Sequence, residues 1–254
     1  MSQTKESLGN ENRIFSFLLL VCLIALVALN IVLGTKIVSV QQSIKSMELK
    51  MENLATGKSQ LENPNNKGIP YSGKLNVSTA YIEGGDDNPE ILIVAFLDYE
   101  CPFCAQANKI VGEILNSNPG KVVLVRFDYP LPFHEKAFDA SLFAYCASAQ
   151  DFVDINKVSA FLFESQSNLE REILLSSAEH LNINGDKVSR CMDSQEASDR
   201  LNQSIKIGEG IGIKGTPAFI ISKTFELTKS LIELEGELIY LSQLPVRIRE
   251  LLGN

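Results

Sequence analysis

Ile91-Leu92-Ile93-Val94-Ala95-Phe96-Leu97-Asp98-Tyr99-Glu100-Cys101-Pro102-Phe103-Cys104 is the stretch whose reading decides the fold. Its first seven residues are all apolar, and a run this short without alternation reads as a strand buried on both faces. Residues 105–115 then read as a helix. Pro102 falls in the first turn, where its missing N–H leaves no bond unmade. Further on, Val122-Val123-Leu124-Val125-Arg126-Phe127 repeats the first strand's pattern. Strand, helix and strand in that order make a βαβ unit with parallel strands.

The rest of the sheet is interrupted. Residues 135–207 are helical in character, with Phe138, Leu142, Tyr145 and Ala149 along one face. Strands return at Ala218-Phe219-Ile220-Ile221 and at 231–234, and Pro245 opens a last helix. The fold class is therefore α/β with an inserted helical domain.

The chemistry centres on Cys101-Pro102-Phe103-Cys104. A cysteine that follows a buried strand and opens a helix faces unpaired N–H groups and the positive end of the helix dipole, both of which favour a thiolate. Cys104, one turn further in, is the less exposed partner. The same spacing can ligate zinc, but a structural zinc site needs four ligands and the chain offers no second knuckle. Redox chemistry is the reading, with no metal and no cofactor. A second element, Gly215-Thr216-Pro217-Ala218, puts a proline directly before a strand. The residues alone leave open whether that proline is a cis bond in a tight turn or a trans proline at a strand's first position. His134 and His180 lie in ordinary polar or helical surroundings and are read as structural.

Outward toward the N-terminus, residues 14–33 are apolar apart from Ser16 and Asn30, long enough to cross a hydrocarbon core of about 30 Å. The span is too long, and its end too poor in small residues, for a cleaved signal peptide, so an uncleaved anchor over 14–34 is expected, after a cytoplasmic segment 1–13. Val21 before Cys22 is a poor lipid-attachment context, and Cys22 reads as one more apolar side chain. Lys5 and Arg13 on one side, against Lys36, Lys45 and Lys50 on the other, do not choose an orientation. Ile37, Val40, Ile44, Met47, Met51 and Leu54 then alternate by three and four, an a/d pattern that makes 35–62 a helical, coiled-coil stalk or a lone amphipathic helix. A breaker-rich linker follows over 63–74, and the catalytic domain is expected over 75–254. A net charge of -8 without a basic cluster excludes nucleic acid as a partner.

The stretch 96–104, together with Gly215-Thr216-Pro217, the loop Tyr129-Pro130-Leu131-Pro132-Phe133-His134 and Tyr145-Cys146-Ala147, resembles the DsbA family of thioredoxin-like thiol:disulfide oxidoreductases. The resemblance covers residues 77–252 and implies a thioredoxin-like fold with Cys101 and Cys104 as the catalytic pair. It also implies that Pro217 is cis, and that Thr216, Pro217, Pro102 and Phe103 border a substrate groove. Cys146 and Cys191 occupy insert positions that some members join in a second, structural disulfide. One departure stands out. Many members carry a buried Glu six residues before the first cysteine, where this chain has Ala95. Asp98 and Glu100 are nearer the thiols, but read first as a helix-opening acid and a solvated turn charge.

Two disulfides imply an oxidising compartment, which places the domain in the periplasm or at the cell exterior, anchored in the bacterial inner membrane. The expected activity is oxidation of cysteine-containing extracytoplasmic proteins, with a membrane redox partner that recycles the pair and the stalk holding a homo-oligomer. Isomerase or reductase use of the same fold stays open, as does a metal-handling or interaction module without turnover.

Overall fold

The computed structural model describes residues 68–85 and 88–253, together with the isolated helical positions Lys36, Gln41 and Lys45. The expected anchor and nearly all of the stalk lie outside the described residues. Among the described residues no helix is long and apolar enough to cross a membrane.

Six strands form one sheet in the order β1-β6-β5-β3-β4-β2: β1 (Ile69–Asn76), β2 (Tyr81–Gly84), β3 (Ile91–Leu97), β4 (Val122–Asp128), β5 (Ala218–Leu227) and β6 (Leu231–Ile239). Only β3 and β4 pair in parallel, through the crossover helix α1 (Pro102–Ser117), and every residue of both strands is buried. On one face Ile91, Ile93, Ala95 and Leu97 pack with Cys104, Ala107, Val111 and Ile114 of α1. On the other, Leu92, Val94 and Phe96 pack with Val123, Val125, Phe127 and Ile220, and the rings of Phe96 and Phe127 stack at 5.0 Å.

Between β4 and β5 lies the helical insert: α2 (Ala137–Ser148), α3 (Ile155–Glu164), α4 (Arg171–Ser177), α5 (Gly185–Met192) and α6 (Gln195–Ile211). Short polar side chains start three of these helices. Asp154 accepts from the Asn156 amide, Asn184 from Lys187 and Ser194 from Ala197, each satisfying a first-turn N–H. Gly212 stops α6 at φ 90°, where the left-handed backbone favours glycine. Gly208, within α6, lies against the Tyr129 ring so closely that a Cβ would collide with it. α2 and α5 are joined by the Cys146–Cys191 disulfide, with Cα atoms 5.6 Å apart. The chain ends on α7 (Leu244–Leu252), whose Leu244 and Ile248 close the α1 face.

Three boundaries differ from the sequence reading. Residues 69–74, read as linker, belong to β1, which pairs along its whole length with β6. Its exposed, glycine- and proline-containing sequence hides the strand, because β1 is a sheet edge with mostly solvent-facing side chains. β5 and β6 run on to Leu227 and Ile239, where polar residues such as Lys223, Glu226, Glu233 and Glu235 break the apolar pattern of a strand that the backbone continues. The insert's helices occupy 137–211 rather than 135–207.

Candidate active site

β3 delivers the chain into the turn Asp98-Tyr99-Glu100, and α1 begins at once. Cys101 is the N-cap of α1, with Pro102 at the helix start. Its thiol donates toward the Thr216 carbonyl oxygen at 3.4 Å, and the Thr216–Pro217 peptide bond is cis. The structure thus brings the Cys101–Cys104 pair to Thr216 and Pro217, more than a hundred residues further along the chain. Pro102 and Phe103 stand on the exposed side of the turn, with Phe103 half exposed.

The two thiols differ in kind. Cys101 keeps 5% of its surface and Cys104 none. The Cys101 thiol is pulled down to about 6, first by a hydrogen bond from the Cys104 thiol and further by the backbone amides of Cys104 and Phe103 at the helix start, against the opposing effect of burial. The Cys104 thiol is pushed far up, chiefly by burial and then by its neighbour Cys101. At neutral pH the Cys101 sulfur is the thiolate and the Cys104 sulfur holds its proton.

The turn is tied down from two sides. Gln166, in the insert, donates its Nε2 to the carbonyls of Tyr99 (2.8 Å) and Cys101 (2.9 Å). Asp98 is fully buried, and its carboxylate accepts from the amides of Glu100 and Leu131, both at 2.7 Å, and from His134 Nδ1 at 2.8 Å. The Glu100 carboxylate accepts the Lys136 amide at 2.8 Å. Neither acid is the solvated or merely helix-opening charge that the sequence suggests: both bind the 131–136 loop. His134, read as structural, bonds through Nδ1 to a buried acid of the active-site turn. His180 is exposed.

Beside Ala95 lies a cluster that the sequence reading passed over. In the parallel register Ala95 sits opposite Arg126, which is 1% exposed and reaches Glu83 at 3.4 Å. Tyr81 donates to Asp128 at 3.2 Å, and the Arg126 and Arg200 guanidinium groups lie over the Tyr81 ring at 5.0 and 5.4 Å. Burial raises the Asp128 carboxyl to about 6 although Arg126 opposes the rise. A signal was available: Arg126 and Asp128 are charges inside a strand otherwise apolar enough to be buried on both faces. Among the described residues no group of three or more His, Cys, Asp or Glu is placed to hold a metal ion.

Over 142 residues the chain is 24% identical to the Na(+)/H(+) antiporter NhaA 1 of Mycobacterium sp. (strain KMS), a match covering 54% of this chain and 23% of that protein. The chain thus spans about a quarter of the length of the curated relatives it matches. Among solved structures, α-DsbA1 of Wolbachia pipientis superposes with a TM-score of 0.54 at 19% identity, covering 68% of this chain and 91% of that one. Oxidised BdbD of Bacillus subtilis superposes with a TM-score of 0.55 at 17% identity, covering 74% of this chain and 100% of that one. The family model described as Thioredoxin matches residues 78–233, more than half of the chain, including Cys101, Cys104, Thr216 and Pro217. A βαβ unit that delivers a C-x-x-C pair to a helix start, faced by a cis-proline turn, is what that match covers, and the chain belongs to the thioredoxin family, with the DsbA form of its fold.

Proposed function

We propose that the protein is a thiol:disulfide oxidoreductase that works as an oxidase, introducing disulfides into extracytoplasmic proteins. The observation that carries this is the contrast between the two thiols, since a stabilised Cys101 thiolate favours the reduced pair and so makes the oxidised pair a disulfide donor. A substrate thiolate attacks Cys101 Sγ of the oxidised pair; the Cys101–Cys104 bond breaks, and Cys104 leaves as a thiolate that takes up a proton. A second substrate thiol loses its proton and attacks the substrate sulfur of the mixed disulfide, releasing Cys101 as thiolate. The substrate is oxidised by two electrons and the protein's disulfide is reduced to a dithiol. A membrane redox partner then removes those electrons and restores the disulfide.

Thr216, Pro217, Pro102 and Phe103 border the approach to Cys101, and an extended substrate segment laid along the Thr216 backbone fits this geometry. The localisation follows from the apolar segment 14–34 and from the two cysteine pairs: a single-pass anchor in the bacterial inner membrane, with the domain outside the cytoplasm and the stalk 35–62 holding a homo-oligomer.

The test is turnover of a dithiol peptide, with the potential of the pair measured against glutathione. An oxidase is expected to oxidise the peptide and to lie toward about −120 mV, whereas a value near −270 mV would reverse the direction to reductase. Metal bound after reducing purification, without turnover, would replace the enzyme reading by a metal-handling one.

A further inference from the structure

Asp98 presents an unusual combination. Its backbone N–H donates to the Cys104 sulfur at 3.4 Å, while its fully buried carboxyl group lies in the same turn as both thiols. A carboxylate charge so placed opposes thiolate formation, yet the turn belongs to a site whose chemistry needs a thiolate. What differs from an ordinary buried acid is how the carboxylate is held. Two of its three donors are backbone amides, from Glu100 in the turn itself and Leu131 in the facing loop, and the third is His134 Nδ1. Toward the carboxylate form of Asp98, which only accepts, Nδ1 is the donor.

Glu100 and Lys136 beside the turn have partners of their own. The Glu100 carboxylate takes the Lys136 amide, and the Lys136 ammonium reaches Glu170 at 2.5 Å. His134 is therefore the side-chain donor assigned to Asp98 among the described residues, from a loop whose neighbouring Phe133 is exposed.

We propose that His134 is a positioning residue for the Cys101–Cys104 pair: through its bond to Asp98 it holds the Asp98 amide on the Cys104 sulfur and draws carboxylate charge away from the thiols, and so sets how strongly the pair oxidises. The proposal rests on the oxidoreductase reading. Its direction follows from electrostatics. Without the donor the carboxylate acts at full strength on the thiols, the Cys101 thiolate loses stabilisation, and the reduced form becomes less favoured. The pair becomes a weaker oxidant.

The experiment compares His134→Gln with His134→Asn in the full chain. An asparagine amide reaches the place of Nδ1 and keeps the bond to Asp98, whereas a glutamine amide reaches the place of Nε2 and loses it. Expected for His134→Gln is a roughly tenfold fall in the equilibrium constant for oxidising glutathione, equivalent to about 30 mV, and a thiolate absorbance midpoint moved to higher pH. His134→Asn stays within about twofold of wild type, a rescue that a role in loop packing alone does not explain. Should His134→Gln fail to fold, His134→Ala gives the same comparison. Wild-type potential and titration in the donor-less variant overturn the proposal, as does an asparagine variant that is folded but equally shifted. Both readouts concern the thiol pair itself, so a wild type that exchanges with glutathione but oxidises no peptide overturns the oxidase reading and leaves this one standing.

Discussion

Cys101 makes the stability of the reduced protein depend on pH in a way that can be worked out in advance. Its thiol titrates at about 6 in the folded, reduced state and near 8.5–9 in an unfolded chain. A group whose folded value is depressed contributes stability that is fully present above the unfolded value and lost as pH falls through the folded one. The contribution is close to zero at pH 5, about 1.4 kcal/mol at pH 7 and about 2.5 kcal/mol at pH 8. Cys101 is 5% exposed, so solvent screening removes little of this. The assay is urea unfolding of the dithiol form at each pH, set against Cys101→Ser under the same conditions. The control carries the same Cys146–Cys191 bond and the same Asp128, so their titrations and strains cancel in the difference. With a slope of about 2 kcal/mol per molar urea, the gap between the two midpoints should widen by roughly 1 M from pH 5 to pH 8. A gap that stays constant, or narrows with rising pH, would refute the thiolate argument and with it the oxidase direction.

Two other perturbations address the insert and the buried cluster. Replacing Cys146 and Cys191 together by alanine reopens a loop of 45 residues and should cost about 4 kcal/mol in the chain-entropy model, a fall in Tm of about 8–16 °C, with the potential of the active pair unchanged; a loss under about 1 kcal/mol by thermal or urea melt would contradict it. Asp128→Asn tests the opposite sign, because a carboxyl raised to about 6 contributes stability that is present below about 4 and lost as pH rises through 6. Relative to wild type the variant should therefore gain about 2–3 kcal/mol between pH 4 and pH 7 in paired urea melts, and an unchanged difference would show that Asp128 ionises freely.

The elements legible in the sequence are those whose side chains all answer to one environment. β3 and β4 are buried on both faces, so nearly every residue is apolar and the strands announce themselves. α1 is equally plain because Pro102 marks its start and Cys104, Ala107, Val111 and Ile114 recur on one face. β1 and β2 escaped because an edge strand buries only a few of its side chains, and Pro70, Gly73 and Gly84 look like turn residues. The thiols of the site were visible because C-x-x-C at a helix start is local information. Asp98 and His134 were each legible as residues but not as a pair, since 36 positions separate them and only the return of the loop after β4 brings them to 2.8 Å. Gln166 carried no signal at all: its role lies in where α3 ends relative to the Cys101 carbonyl, which no pattern in its own neighbourhood encodes.

Ala95 links the site to the cluster behind it. Residues in register on adjacent parallel strands point to the same face of a sheet, so Arg126 projects to the side on which Ala95 packs with Cys104. The carboxylates that answer the Arg126 charge come from Glu83 on β2 and Asp128 at the end of β4, away from β3. The buried charges thus sit on the strands outside β3, and the surroundings of Cys104 are set by burial, by Cys101 and by the Asp98 amide. Burial, with Cys101 beside it, keeps Cys104 protonated in the reduced state while Cys101, at the helix start, carries the charge.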